Sequence, residues 1–287
     1  MSITSPPSAR PDRSHDQILA AVLDDVRTTL RVGWIDPALK TLTFEPDFLT
    51  AAWAATRPNV TKTFAAGAER LQAEALESAR AVVRPADVSG WARTELGGVD
   101  RERLVRTAQA FHHSAARVYL VVQAWAVLAR RQDIPGTGKE ESPAKRGVPS
   151  WQESLSSGSR TVSAEAEALV DDTTVALGLS STPGSLLAAA GWPHYLELLA
   201  GDLRAADAER WREAVLALRR TASEVLGSLP HPMALQWDVL ERKGITEERR
   251  AVVADHLTAA TAAMPANALI AAAMWCSLGT PETPSEF

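Results

Sequence analysis

Cysteine is nearly missing from this chain of 287 residues: Cys276 is the only one. A single thiol can form no internal disulfide and no thiolate metal cluster, so a reducing cytosol is the expected setting. No HxxxH pair or Cys/His cluster occurs, and no metal is expected. The glycine patterns that cradle phosphates or dinucleotides are also missing, because GTGKEE at 136–141 follows no strand and lacks the first P-loop glycine; no cofactor is expected. Long basic runs are absent and the net charge is −5, which argues against a nucleic-acid partner. The longest near-apolar run, Ala259 to Trp275, is interrupted by Thr261, Pro265 and Asn267. A membrane span needs about 20 apolar residues, so this run reads as a buried helix and no membrane partner is expected. Met1 to Arg13 is polar and proline-bearing, without the apolar core of a signal peptide. Small molecules remain as partners, with a homo- or hetero-oligomer open.

Strand signals are scarce too, and alanine, leucine, arginine and glutamate at helical spacing fill the chain. The fold class is all-α. Ile18, Leu19, Val22, Leu23, Val26 and Leu30 form one apolar stripe, followed by an irregular segment from Val32 to Pro37. A helix is expected from Pro46 to Thr56, then a long one over about Val60 to Val83 after Pro58. Asp100 is placed to cap another long helix, with a kink near His112–Ser114. Residues 132–160 turn to Gly, Pro, Ser and Lys and read as a mobile linker. Helices are then expected over about Ser163–Leu177, from Leu186, from Pro193, over Ala206–Leu226 and over Thr246–Leu278.

The second set of elements repeats the first. Pro46, Phe48 and Leu49 match Pro193, Tyr195 and Leu196, 147 residues on, and at the same offset Leu39 falls on Leu186 and Arg57 on Arg204. A long internal period predicts two tandem, structurally similar helical repeats packed around a central pocket. The expected division is a disordered tail at 1–13, a first repeat at 14–131, the linker, a second repeat at 161–280 and a disordered tail at 281–287.

With those residues in view the chain resembles the group I α-haloacid dehalogenases. The resemblance is carried by Asp25-Val26-Arg27 through Leu30-Arg31-Val32-Gly33-Trp34, by Phe44-Glu45-Pro46-Asp47-Phe48-Leu49 through Trp53, and by Gly191-Trp192-Pro193. It implies an all-α fold of two repeats with a small pocket between them, and hydrolysis of carbon–halogen bonds in short 2-haloalkanoic acids without cofactor or metal. It also implies an aspartate that activates water, an asparagine that helps hold the water, and aromatic pocket walls. The match fails at the aspartate. Its place, seven residues before Trp192, is held by Ser185, and no carboxylate lies between Thr173 and Tyr195. The asparagine maps to Ser114 or Ala115, and a pocket tyrosine of the last helix maps to Ala260.

His112 and His113 are candidates for the missing base, since histidine titrates near 6.5; adjacent on a helix, they point about 100° apart. Their ordinary reading is one exposed and one half-buried histidine. Ser185 is a nucleophile only if a base adjoins it, and otherwise an N-cap. Gly184 beside it would let amides reach a substrate carboxylate. Trp34 reads equally as pocket wall or core, and Asn267, just past Pro265, could line a cavity. The paired carboxylates Asp24–Asp25 and Asp171–Asp172 read as solvated helix faces.

The expectation is an enzyme in which a halide, sulfate or similar group leaves a small, anionic molecule, by substitution or elimination, with the attacking group supplied in one version by the substrate itself. A non-catalytic accessory subunit and a hydrolytic dehalogenase with a relocated base are the alternatives.

Overall fold

The computed structural model describes residues 13–83, 95–153 and 162–279. Among them only helices, turns and two isolated bridges occur. The helices are α1 (Arg13–Leu30), α2 (Pro37–Thr41), α3 (Pro46–Thr56), α4 (Lys62–Val82), α5 (Gly98–Ala129), α6 (Ser150–Glu153), α7 (Ala164–Ala176), α8 (Gly184–Ala189), α9 (Pro193–Arg204), α10 (Ala208–Ser228), α11 (Trp237–Arg242) and α12 (Glu247–Ser277). The expected tails lie outside the described residues, apart from Arg13, which opens α1.

The starts of these helices follow from local chemistry. Asp36, Ser163, Asp207 and Thr246 cap α2, α7, α10 and α12, each accepting an otherwise orphaned amide through its side-chain oxygen. Pro46 and Pro193 occupy the first turns of α3 and α9, where a missing N–H costs nothing. The capping residues before them share one backbone geometry: φ −124, ψ 73 at Glu45 and φ −131, ψ 81 at Trp192. Element order recurs as well. Short α2 then α3, long α4 and longer α5 is answered by α8, α9, α10 and α12.

The two longest helices lie at the centre. α5 packs along α12, and α4 and α10 pack against each other and against that pair. Trp125, Tyr119, Leu104, Leu120 and Leu128 of α5 and Leu257, Leu269 and Ile270 of α12 are fully buried in one core that draws on both halves. By composition α12 is apolar enough to cross a bilayer, yet 72% of its most apolar window is buried inside the protein. Gly67 lets α4 and α10 close together, since a Cβ there would meet Val225 Cγ1 at 2.4 Å.

Several expectations need correcting. α5 begins at Gly98 with Gly97 as its cap, so Asp100 lies within the first turn and is not the cap, and the helix runs unbroken through His112–Ser114. The helix expected over about Thr246–Leu278 is present as α12, with Pro265 inside it. Residues 132–153, expected to be mobile, are bonded down instead. Ile134 bridges Met233, Pro143 bridges Thr61, and Gly147 N–H donates to Thr28 O at 2.9 Å. Gly136 sits at φ +68, where its Cβ would lie 2.5 Å from the His231 carbonyl carbon, so only glycine passes. Asp25 is no solvated face. It accepts from Trp53 Nε1 at 2.7 Å and pairs with Arg57 Nε at 2.8 Å and with Arg146 from that bonded-down segment.

Candidate functional site

A cavity of about 240 Å³ opens where α2, the loop before α8 and α12 meet. Gly184, Ala260 and Asn267 line it, three residues drawn from distant parts of the sequence. Asp36, His256 and Thr182 line it with them.

Asp36 is aimed by its neighbour. Proline disfavours the helical region for the residue before it, and Asp36 accordingly stands at φ −61, ψ 140 with Pro37 in the first turn of α2. Its Oδ1 accepts from Ala38 N at 2.9 Å. Burial raises the carboxyl pKa above its ordinary value, opposed by that amide bond. His256 reaches the same residue from α12, with Nε2 3.3 Å from Ala38 O. A carbonyl only accepts, so Nε2 carries a proton in that contact. The ring of Phe44 meets His256 edge-on at 6.2 Å. Asn267 Oδ1 is buried and has no hydrogen-bond partner.

Trp34 is half-buried and stacks on Phe111, centroids 4.2 Å apart. Phe111 in turn backs Gly184, where an added Cβ would lie 3.3 Å from its Cε1. The aromatic pair therefore supports the cavity wall from behind. Ser185 is the second residue of α8, whose cap is Pro183, so it does not cap the helix. Its hydroxyl is buried and makes no hydrogen bond.

The histidines lie elsewhere. His112 is 2% exposed and stacks on Trp275, centroids 6.3 Å apart. Burial lowers its pKa to about 3, with Arg80 and Arg117 adding to the effect. His113 points to a different place, edge-on to Trp151 at 5.6 Å, with Nδ1 3.3 Å from Arg117 Nη1. Burial and then Arg117 push its pKa well below the ordinary value, while the Arg31 carbonyl pulls the other way. Neither is half exposed, and both stay neutral at pH 7. Beside His113, Gln152 of α6 is wholly buried and donates to Arg31 O at 3.1 Å. Ser114 donates its hydroxyl back to Ala110 O at 2.7 Å. Among the described residues no group of three His, Cys, Asp or Glu is placed to hold a metal ion.

Sequence reasoning passed over Asp36 and His256. An Asp-Pro pair reads as an ordinary helix cap, and His256 lies on a helix whose register against α2 no local pattern reveals. One signal was available: Asp36 stands two residues after Trp34 and, 147 residues on, falls on Pro183, just before the cavity residue Gly184.

No family model matches the chain, and no curated protein does. Solved structures do. A D-2-haloacid dehalogenase in complex with L-LA matches with a TM-score of 0.77 and 17% identity, over 97% of this chain and 100% of that one. A D-2-haloacid dehalogenase mutant with D-2-CPA gives 0.78 and 16%, over 96% of each chain. A further mutant gives 0.78 and 17%, over 96% of this chain and 99% of that one. The chain has the fold of these dehalogenases along nearly its whole length.

Proposed function

We propose that this chain is a cofactor-independent enzyme that displaces a leaving group, halide, sulfate or similar, from a small molecule held in the cavity, with Asp36 as the base. One observation carries the reading: a carboxyl with a raised pKa lines a cavity in a dehalogenase-like fold, between α2 and α12. The volume, about 240 Å³, is room for about eight waters at ~30 Å³ each, which suits a substrate of a few heavy atoms. Raising a carboxyl pKa makes it a better base toward a weak acid such as water. In the hydrolytic version Asp36 takes a proton from water, the oxygen bonds to the substrate carbon, and the leaving group departs with the bonding electrons. The proton on Asp36 then returns to solvent. In the internal version the proton comes from the substrate's own nucleophile and the same carbon–heteroatom bond breaks. The presence of Asp36 favours the first, since an activated water needs such a base.

Halide release from D- and L-2-chloropropionate by wild type and by Asp36→Asn tests this. The expected loss is roughly 10²–10⁴-fold, the usual worth of a positioned base. Asparagine still caps α2, so folding survives. A carboxyl pKa raised on folding means that the folded state holds its proton longer, so stability falls as pH rises from 3.8 through the folded-state value. Asp36→Asn removes that penalty: its Tm should exceed wild type at pH 7 and converge with it below pH 3.8. Equal turnover by the variant would remove Asp36 from the chemistry, and ligand binding with no turnover of any substrate would select the accessory-subunit reading.

A further inference from the structure

The lining of the cavity is rich in acceptors. Among the described residues no Lys or Arg side chain lines it, and the carboxylate in its wall is Asp36. His256 has committed Nε2 to Ala38 O, so that N–H is already spent. Asn267 Oδ1 is buried without a donor. The hydroxyls of Ser180, Ser181 and Thr182 can turn either way. Alanines at 259, 260 and 263 and Met264 form the apolar side. A carboxylate entering here would meet a like charge at Asp36 with no Lys or Arg among the described lining residues to offset it, and would leave Asn267 Oδ1 unanswered.

We propose that the cavity takes an uncharged ligand whose polar end brings an N–H donor to Asn267, a substituted carboxamide, in place of a free carboxylic acid. This rests on the active-site reading above. The amide N–H satisfies Asn267 Oδ1, its carbonyl accepts from the hydroxyls of the 180–182 loop, and the substituted carbon lies toward the alanines.

Three probes of one carbon skeleton separate charge from donor capacity: 2-chloropropionamide, 2-chloropropionate and methyl 2-chloropropionate. Binding is read by calorimetry and by the rise in Tm at pH 8, where the acid is fully ionised. The amide is expected to bind at least roughly tenfold tighter than either of the others, the usual cost of one buried group left unpaired. Asn267→Leu, or Asn267→Ser if the first variant does not fold, should bring the amide down to the level of the ester. A carboxylate that binds as tightly as the amide, an ester that does so, or no binding of any of the three overturns the proposal. The readout is independent of turnover: halide release from the acid would keep the enzyme reading and sink this one, whereas amide bound but never turned over would do the reverse.

Discussion

At matching helix ends the two halves use different residues for the same backbone turn. After α1 the chain passes through Arg31 at φ 60, and after α7 through Gly178 at φ 65. After α5 it passes through Arg131 at φ 59, and after α12 through Gly279 at φ 62. Glycine adopts that conformation freely, whereas a side chain is held there against roughly 1–2 kcal/mol. The first half retains its arginines where their groups make contacts. Arg131 lies 5.4 Å over the Trp237 ring and pairs with Glu241, and the Arg31 carbonyl receives Gln152. Asp25 with its three partners stands opposite an exposed Asp172, and Asp36 opposite Pro183. At these matching positions the first half carries polar connections where the second has glycine, proline or an exposed carboxylate.

The largest expected effect concerns acid. His112 sits in the first half, and 147 residues on the matching place in α12 is Ala259, which does not titrate. Its folded-state pKa, about 3, lies below the unfolded value of 6.5, so the unfolded chain binds its proton first. That contribution is full above pH 6.5 and is lost as pH falls toward 3. At ~1.4 kcal/mol per pKa unit it amounts to several kcal/mol. His112→Phe, which can keep the stacking on Trp275, should flatten the fall in urea stability between pH 6.5 and 4; an unchanged slope would place the acid sensitivity elsewhere than His112. A middling effect is expected at the paired aspartates. Asp25→Asn should cost about 1–2 kcal/mol by chemical denaturation, discounted for partial exposure, and Asp172→Asn less than about 0.5. Equal losses would break the contrast between halves. The smallest change is expected for Ser185→Ala: stability within about 0.5 kcal/mol, since its hydroxyl has no partner to lose, and turnover within about twofold. A large fall in turnover would return the chemistry to the second half.

Much of the framework was readable from spacing and caps. Pro46 and Thr56 bound α3, Ser163 and Thr246 cap their helices, and the 147-residue offset pairs α2 with α8 and α3 with α9. What could not be read depended on contacts between distant segments. Composition marks 132–153 as linker, but Thr63 N–H and Oγ1 both donate to Glu141, and Arg146 pairs with Asp25, so polar residues fasten it down. Of the cavity lining, Gly184 and Ala260 were named through the resemblance and Asn267 from its place just past Pro265. Asp36 was not, because a carboxyl that caps a helix and one that also faces a cavity look alike in one dimension.

Ala38 touches two polar walls of the cavity, its N–H on Asp36 and its C=O on His256, 218 positions further along the chain. A single residue thereby sets the separation of two side chains that come from opposite ends of the sequence. Any slide of the last helix past the first short one must tug at that residue, and the carboxyl would feel the shift through its own hydrogen bond before a ligand arrived.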